Sequence, residues 1–94
     1  MASKSLKRKT GMLALAARVV EQRGKHYGDV RQNLSRIAAR WSLVVGVPVT
    51  PEQVAVMMID LKLARLAESP HHADSILDVA GYAELLDRLR QGRK

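Results

Sequence analysis

Two aspartates, Asp74 and Asp78, stand four residues apart in the stretch DSILDVAGYAELLDRL, residues 74–89. On a helix that spacing is about one turn, so both carboxylates leave the same face. Tyr82, Leu85 and Leu89 continue the stripe, so the two acids lead straight into core positions. A charge in such a place needs a partner, because burying it alone is too costly. The preceding apolar segment supplies cations: Lys62 and Arg65, three residues apart and therefore on one face. Two arrangements use these groups. In one, Asp74 and Asp78 pair with Lys62 and Arg65 across the hairpin as structural ion pairs, and Asp74 need be no more than a helix N-cap. In the other, the same residues form a small polar site at one end of a bundle. Lys62 and Arg65 then meet phosphates, Asp74 and Asp78 hold a divalent cation or a ligand's hydroxyls, and Tyr82 lies beside a base. Mg²⁺ takes carboxylate oxygens and keeps waters, so two acids one turn apart suffice as anchors. Asp60, which interrupts the most apolar run of the chain, is a more remote third acid.

Other residues could join such a site. Lys25-His26-Tyr27-Gly28-Asp29 places a polar, aromatic-bearing loop at a helix N-terminus, where anions bind readily. The plainer reading is a loop followed by an N-cap. Asn33, four residues after Asp29, lies at the edge of an apolar stripe. His26, His71 and His72 lack HxxxH or HExxH spacing for a transition metal. No Ser-His-Asp or P-loop pattern is present. Gly81 has two compatible explanations: close helix–helix contact beside Ala80 and Ala83, and open space next to the acids.

These residues must be positioned by helices. The first spans about Met12 to Arg23, with Leu13, Ala16, Ala17 and Val20 on one stripe, and Gly24 ends it before a loop at 25–28. Asp29 caps the second, whose stripe is Val30, Leu34, Ile37, Trp41, Val44 and Val45, and Gly46 stops it. Thr50-Pro51-Glu52-Gln53 carries a capping hydroxyl, a proline at the first helical position and the Gln of a capping box. The third helix runs from there to Ser69-Pro70. Val54 to Ile59 is unbroken apolar sequence, and a helix apolar on most sides belongs at the centre of a bundle, with Met57 and Met58 filling gaps. The fourth helix covers about Ala73 to Leu89, with Ile76, Val79, Ala80 and Ala83 as packing residues. No strand is expected. The connections are short, as antiparallel neighbours require. The expected architecture is a compact all-α bundle of about four helices over residues 12–89, with basic tails at 1–11 and 90–94.

The totals narrow the function. Ninety-four residues allow one domain with a modest core, so oligomerisation would assist stability. There is no cysteine, which excludes disulfides and thiolate metal sites and suits a cytoplasmic protein. No apolar run approaches the roughly 20 residues that span a bilayer, so no membrane partner is expected. The net charge of +7 resides at the ends. Residues 1–11 hold Lys4, Lys7, Arg8 and Lys9 and no acid, and 88–94 hold Arg88, Arg90, Arg93 and Lys94 and no acid. The body between them has nine acids against eight basic side chains. Such tails are usually solvated ends, less often an arm for nucleic acid or a protein partner. With only Trp41, Tyr27 and Tyr82 as aromatics, the chain has little to stack bases on.

YGD at 27–29, Asn33, Trp41, MMIDLKLARL at 57–66, SPHHADS at 69–75 and DVAGYAEL at 78–85 resemble a family of small phage and prophage proteins of undefined function. Its pattern is Y-G-D, N, W, K-x-x-R and D-S-x-x-D-x-A-G-Y-A, and the likeness spans about residues 25–85. That family is in turn similar, more distantly, to the all-α nucleoside triphosphate pyrophosphatases of the MazG type. Those form oligomeric helical bundles, hold Mg²⁺ with E-x-x-E on one helix and E-x-x-D on the next, and release a nucleoside monophosphate and pyrophosphate. DSILD at 74–78 looks like the second motif, with Asp74 and Asp78 at the matching places. The first motif is absent: Asp60, Lys62 and Arg65 stand on the preceding helix instead. A cation held by four carboxylates therefore cannot be reproduced, and attack by metal-activated water needs a firmly held cation.

The resemblance thus implies a homo-oligomeric protein of the host cytoplasm that binds a nucleotide or nucleotide-derived ligand. Either it hydrolyses that ligand with Mg²⁺ or it sequesters it without catalysis. The expected ligand residues are Lys62, Arg65, Asp74, Asp78, Tyr82, His26, Tyr27 and Asn33, with Asp74, Asp78 and Asp60 as the metal candidates. The alternative is a structural or interaction protein with structural ion pairs, whose basic tails contact nucleic acid or a partner.

Overall fold

The computed structural model describes residues 11–27 and 29–92, the side chains of 24–27 excepted. The described residues form four helices and no strand: α1 (Met12–Tyr27), α2 (Val30–Val45), α3 (Pro51–Glu68) and α4 (Ala73–Gln91). The basic N-terminal tail lies outside the described residues, except for Gly11.

Local chemistry sets most of the boundaries. Asp29 caps α2, its Oδ1 accepting from Arg31 N at 2.8 Å and Gln32 N at 3.4 Å. Gly46 ends α2 in the left-handed region at φ 81°. Thr50 and Gln53 close a reciprocal capping box at the start of α3, with Thr50 N donating to Gln53 Oε1 at 2.9 Å and Gln53 N to Thr50 Oγ1 at 3.1 Å. Ser42 fastens the α2–α3 connection. Its hydroxyl donates to Ala38 O at 2.7 Å and accepts from Val49 N at 2.8 Å.

Two boundaries differ from expectation. α1 passes through Gly24 and continues to Tyr27. A helical glycine costs only about 1 kcal/mol against alanine, a cost that continued backbone hydrogen bonding offsets. α4 reaches Gln91, so Arg90, expected in the tail, belongs to the helix together with Arg88. Arg88 pairs with Glu84 and Glu21, and Arg90 with Asp87, so much of the C-terminal positive charge is compensated locally.

The arrangement of layers also departs from expectation. α3 was expected at the centre on its hydrophobicity; the central element is α4, which packs against α3 and α1 and also meets α2, while α1 and α2 touch only narrowly. Ala80, Gly81 and Ala83 on α4 line open grooves on the side where α1 meets it. The core joins Leu34, Ala38, Val54, Ala55 and Leu89, with Ile37, Trp41, Met58, Leu85 and Leu86 packed around them. Ala16 and Val20 are buried where α1 meets α4, whereas Leu13, expected on that stripe, is 77% exposed. Val44 and Val45 project beyond the bundle at the end of α2. On α3 only Val54 and Ala55 are fully buried, and Val56, Met57, Leu61 and Leu63 are exposed. Among the described residues no buried side-chain nitrogen or oxygen lacks a hydrogen-bond partner.

Gly81 is not pinched. A Cβ built on it would meet nothing nearer than Val20 Cγ2 at 4.0 Å. Tight helix–helix contact is therefore not its role; of the two expected explanations, the space beside Asp78 is the one that holds.

Candidate functional site

The start of α4 is built by His72. Its Nδ1 accepts from Ser75 N at 3.2 Å and lies 2.7 Å from Ser75 Oγ, and Ser75 is buried. His72, not Asp74, is thus the N-cap. Asp74 sits exposed in the first turn, where a carboxylate favours the positive end of the helix. One turn further, Asp78 is half-buried and turns toward α3, with Lys62 Nζ 3.1 Å from its Oδ2. The ion pair expected across the α3–α4 hairpin therefore forms at Lys62–Asp78. The other members do not join it: Arg65, Asp60 and Asp74 are exposed, and their side chains pair with no described residue.

A groove of about 360 Å³ opens where α1, α2 and α4 diverge, on the α1-facing side of Asp78. Its apolar walls include Val20, Leu34, Ile37, Leu77 and Leu85. Five polar side chains border it: Arg23 from α1, Asn33 from α2, and Asp78, Tyr82 and Arg88 from α4. Three of these, Asn33, Asp78 and Tyr82, were singled out by spacing alone. Lys62 stands behind Asp78 and holds it rather than lining the groove. His26 and Tyr27 lie outside the residues whose side chains are described. The loop expected to receive an anion at 25–28 is helical over 25–27, and the α2 N-terminus is already occupied by the Asp29 carboxylate.

Arg23 and Arg88 were missed. Arg23 sits one residue before an apparent helix end, and Arg88 was counted with a basic tail. The signal for Arg88 was its register, seven residues after Gly81 and three after Leu85 on the same stripe. Its side chain is mostly covered, with Nε donating to Glu84 Oε2 at 2.8 Å and Nη2 to Glu21 Oε1 at 3.3 Å. The Glu84 hydrogen bond raises its pKa above the ordinary value against the opposing effect of burial. Arg88 is therefore a fixed cation, oriented by two carboxylates at the rim of the groove.

This size suits a small molecule, and so does a mostly apolar lining with a few convergent polar groups. The donor set does not fit a four-carboxylate magnesium centre. Asp78 is the sole carboxylate among the lining residues, and among the described residues no three carboxylate or imidazole groups gather where they could share a cation. No described helix is long and apolar enough to cross a membrane.

Comparison with known proteins places the chain among phage proteins. The model of a domain of unknown function, DUF6378, matches residues 11–90. The Gene 55 protein of Mycobacterium phage L5 is 49% identical over 70 residues, a match covering 73% of this chain and 45% of that relative. The Gene 55 protein of Mycobacterium phage D29 is 37% identical over 68 residues, covering 72% of this chain and 45% of the relative. The chain thus spans a little under half the length of the curated relatives it matches. No solved structure matches it.

Proposed function

The chain belongs to the DUF6378 family, with homologues in Mycobacterium phages L5 and D29, and we propose that it binds a nucleotide or nucleotide-derived molecule in the α1–α2–α4 groove. The observation that carries this is the convergence of Arg23, Asn33, Asp78, Tyr82 and Arg88 on one half-open apolar groove of about 360 Å³. Arg23 and Arg88 at the rim meet the phosphate. The Tyr82 ring and the aliphatic wall take the base. Asn33 and Asp78 satisfy ribose hydroxyls or a base edge, with Lys62 holding the Asp78 carboxylate in place. Any Mg²⁺ would be carried by the ligand's phosphates, with Asp78 as the single carboxylate among the lining residues. The role is binding or sequestration. With one lining carboxylate the groove lacks the fixed negative charge that a hydrolytic metal centre requires.

Thermal shift against nucleosides, their mono-, di- and triphosphates and inorganic phosphate, each with and without Mg²⁺, tests this. A ligand at one hundred times its Kd stabilises by about 2.7 kcal/mol, a rise of several degrees for a domain this small. Arg23→Ala, on an exposed position, should remove the shift without lowering the melting temperature of the free protein. If no member of the panel shifts the unmodified protein, the reading is wrong.

A further inference from the structure

The outer side of α3 carries a second pattern that the groove does not use. Met57, Leu61 and Ala64 follow one another at spacings of four and three along its exposed surface, with Met57 41% and Leu61 56% exposed. At about 3.6 residues per turn they form one straight stripe. Asp60 and Arg65 flank it, roughly 70° to either side. Both are exposed, and neither side chain has a partner among the described residues. This is the layout of a helix seam: apolar residues every three and four positions with opposite charges at the two margins. In two parallel helices packed on such a stripe, a margin residue faces the residue five positions later on the other helix. Asp60 and Arg65 are five apart.

We infer that α3 packs in parallel against α3 of a second copy of this chain about a two-fold axis, with Met57, Leu61 and Ala64 in the seam and Asp60 of each copy paired with Arg65 of the other. The occupant is a second copy because the charge pattern is self-complementary in that one register: each copy supplies one acid and one base, and the two-fold axis forms both pairs at once. It also explains why Met57 and Leu61, on the most apolar helix of the sequence, stay exposed in a single chain. The α1–α2–α4 groove is on another part of the molecule, so this inference stands independently of the ligand reading.

Sedimentation velocity on the full chain over a hundredfold concentration range should show a dimer that dissociates on dilution. Leu61→Asp should yield a monomer with unchanged helical circular dichroism. Asp60→Arg and Arg65→Glu should each weaken the dimer at least tenfold, and the double exchange Asp60→Arg/Arg65→Glu should restore it. Direction is tested by cysteines, which the chain lacks. In a parallel pair, Met57→Cys and Ala64→Cys should each form a disulfide with its own copy on oxidation, whereas an antiparallel pair can bring at most one of these positions to its axis. A monomer at every concentration overturns the inference. So does a dimer indifferent to Leu61→Asp, a double exchange no better than the singles, or cross-linking at only one cysteine.

Discussion

Replacing Gly81 by alanine should stabilise the protein although the residue lies inside a helix at the heart of the bundle. The added Cβ would lie 4.0 Å from Val20 Cγ2, an ordinary contact, with no nearer neighbour. No backbone strain opposes it, since the only positive-φ glycines among the described residues are Gly46 and Gly92. Helix propensity contributes about 1 kcal/mol, and a methyl partly sheltered by Val20 adds a few tenths to about 0.8 kcal/mol. The net gain of about 1.2–1.8 kcal/mol corresponds to a rise of roughly 5–14 °C in Tm. Gly46→Ala is the matched control. Open space also surrounds Gly46, but its φ is 81°, so the same chemical change should cost about 1–2 kcal/mol. Thermal and urea unfolding followed by circular dichroism, at one fixed protein concentration, measures both. If Gly81→Ala melts at or below the unmodified protein, α1 and α4 approach more closely than described and the groove is not open at Asp78. In the nucleotide panel the same variant should bind more weakly than its higher stability would suggest, because the methyl enters the groove.

Three further substitutions test the supports of the site. Lys62→Met should cost about 1–3 kcal/mol by leaving the half-buried Asp78 carboxylate without its cation, and Lys62→Met/Asp78→Leu should recover most of that loss in urea melts. His72→Ala should cost about 1 kcal/mol through loss of the α4 N-cap, whereas His72→Asp should cost little, because aspartate caps as well; chemical denaturation distinguishes the two. Arg88→Met should lower stability by about 1–2 kcal/mol, since it leaves the half-buried Glu84 carboxylate without its cation, and should also abolish any nucleotide-induced shift in Tm.

The helices were legible where the sequence states its own caps. Asp29, the Thr50–Gln53 box and Gly46 each act through a few adjacent backbone groups, so their effect is local and readable. Gly24 was misleading because a glycine ends a helix only when nothing beyond it favours continuing. The order of layers was less legible. Hydrophobicity ranks α3 above α4, but centrality depends on how many neighbours a helix meets, and α4 meets all three of the others. The site was half visible. Asp78, Tyr82 and Asn33 stood out as polar groups at the edges of apolar stripes, which is a property of periodicity. Arg23 and Arg88 looked like ordinary surface cations, because their place depends on how three helices diverge, which no single stripe encodes. Asp60 and Arg65 drew notice as neighbours of the acids, yet on α3 they flank the outer stripe, separated by the residues that face α4.

The position of α4 has a consequence in time. It follows the other three helices in the chain; α1 and α3 pack chiefly on it, while α2 rests mainly on α3. Leu89, near its end, is buried in the core, and Arg31 of α2 donates from Nη2 to its carbonyl at 2.9 Å across 58 positions of sequence. While the chain is being synthesised, α2 can dock on α3, but α1 has little to dock against until α4 is made. Completion of the core should therefore be a late event, with α4 present in the transition state and the α4-facing side of α3 uncovered until then. Truncations before Leu89 should yield an unfolded chain rather than a three-helix remnant.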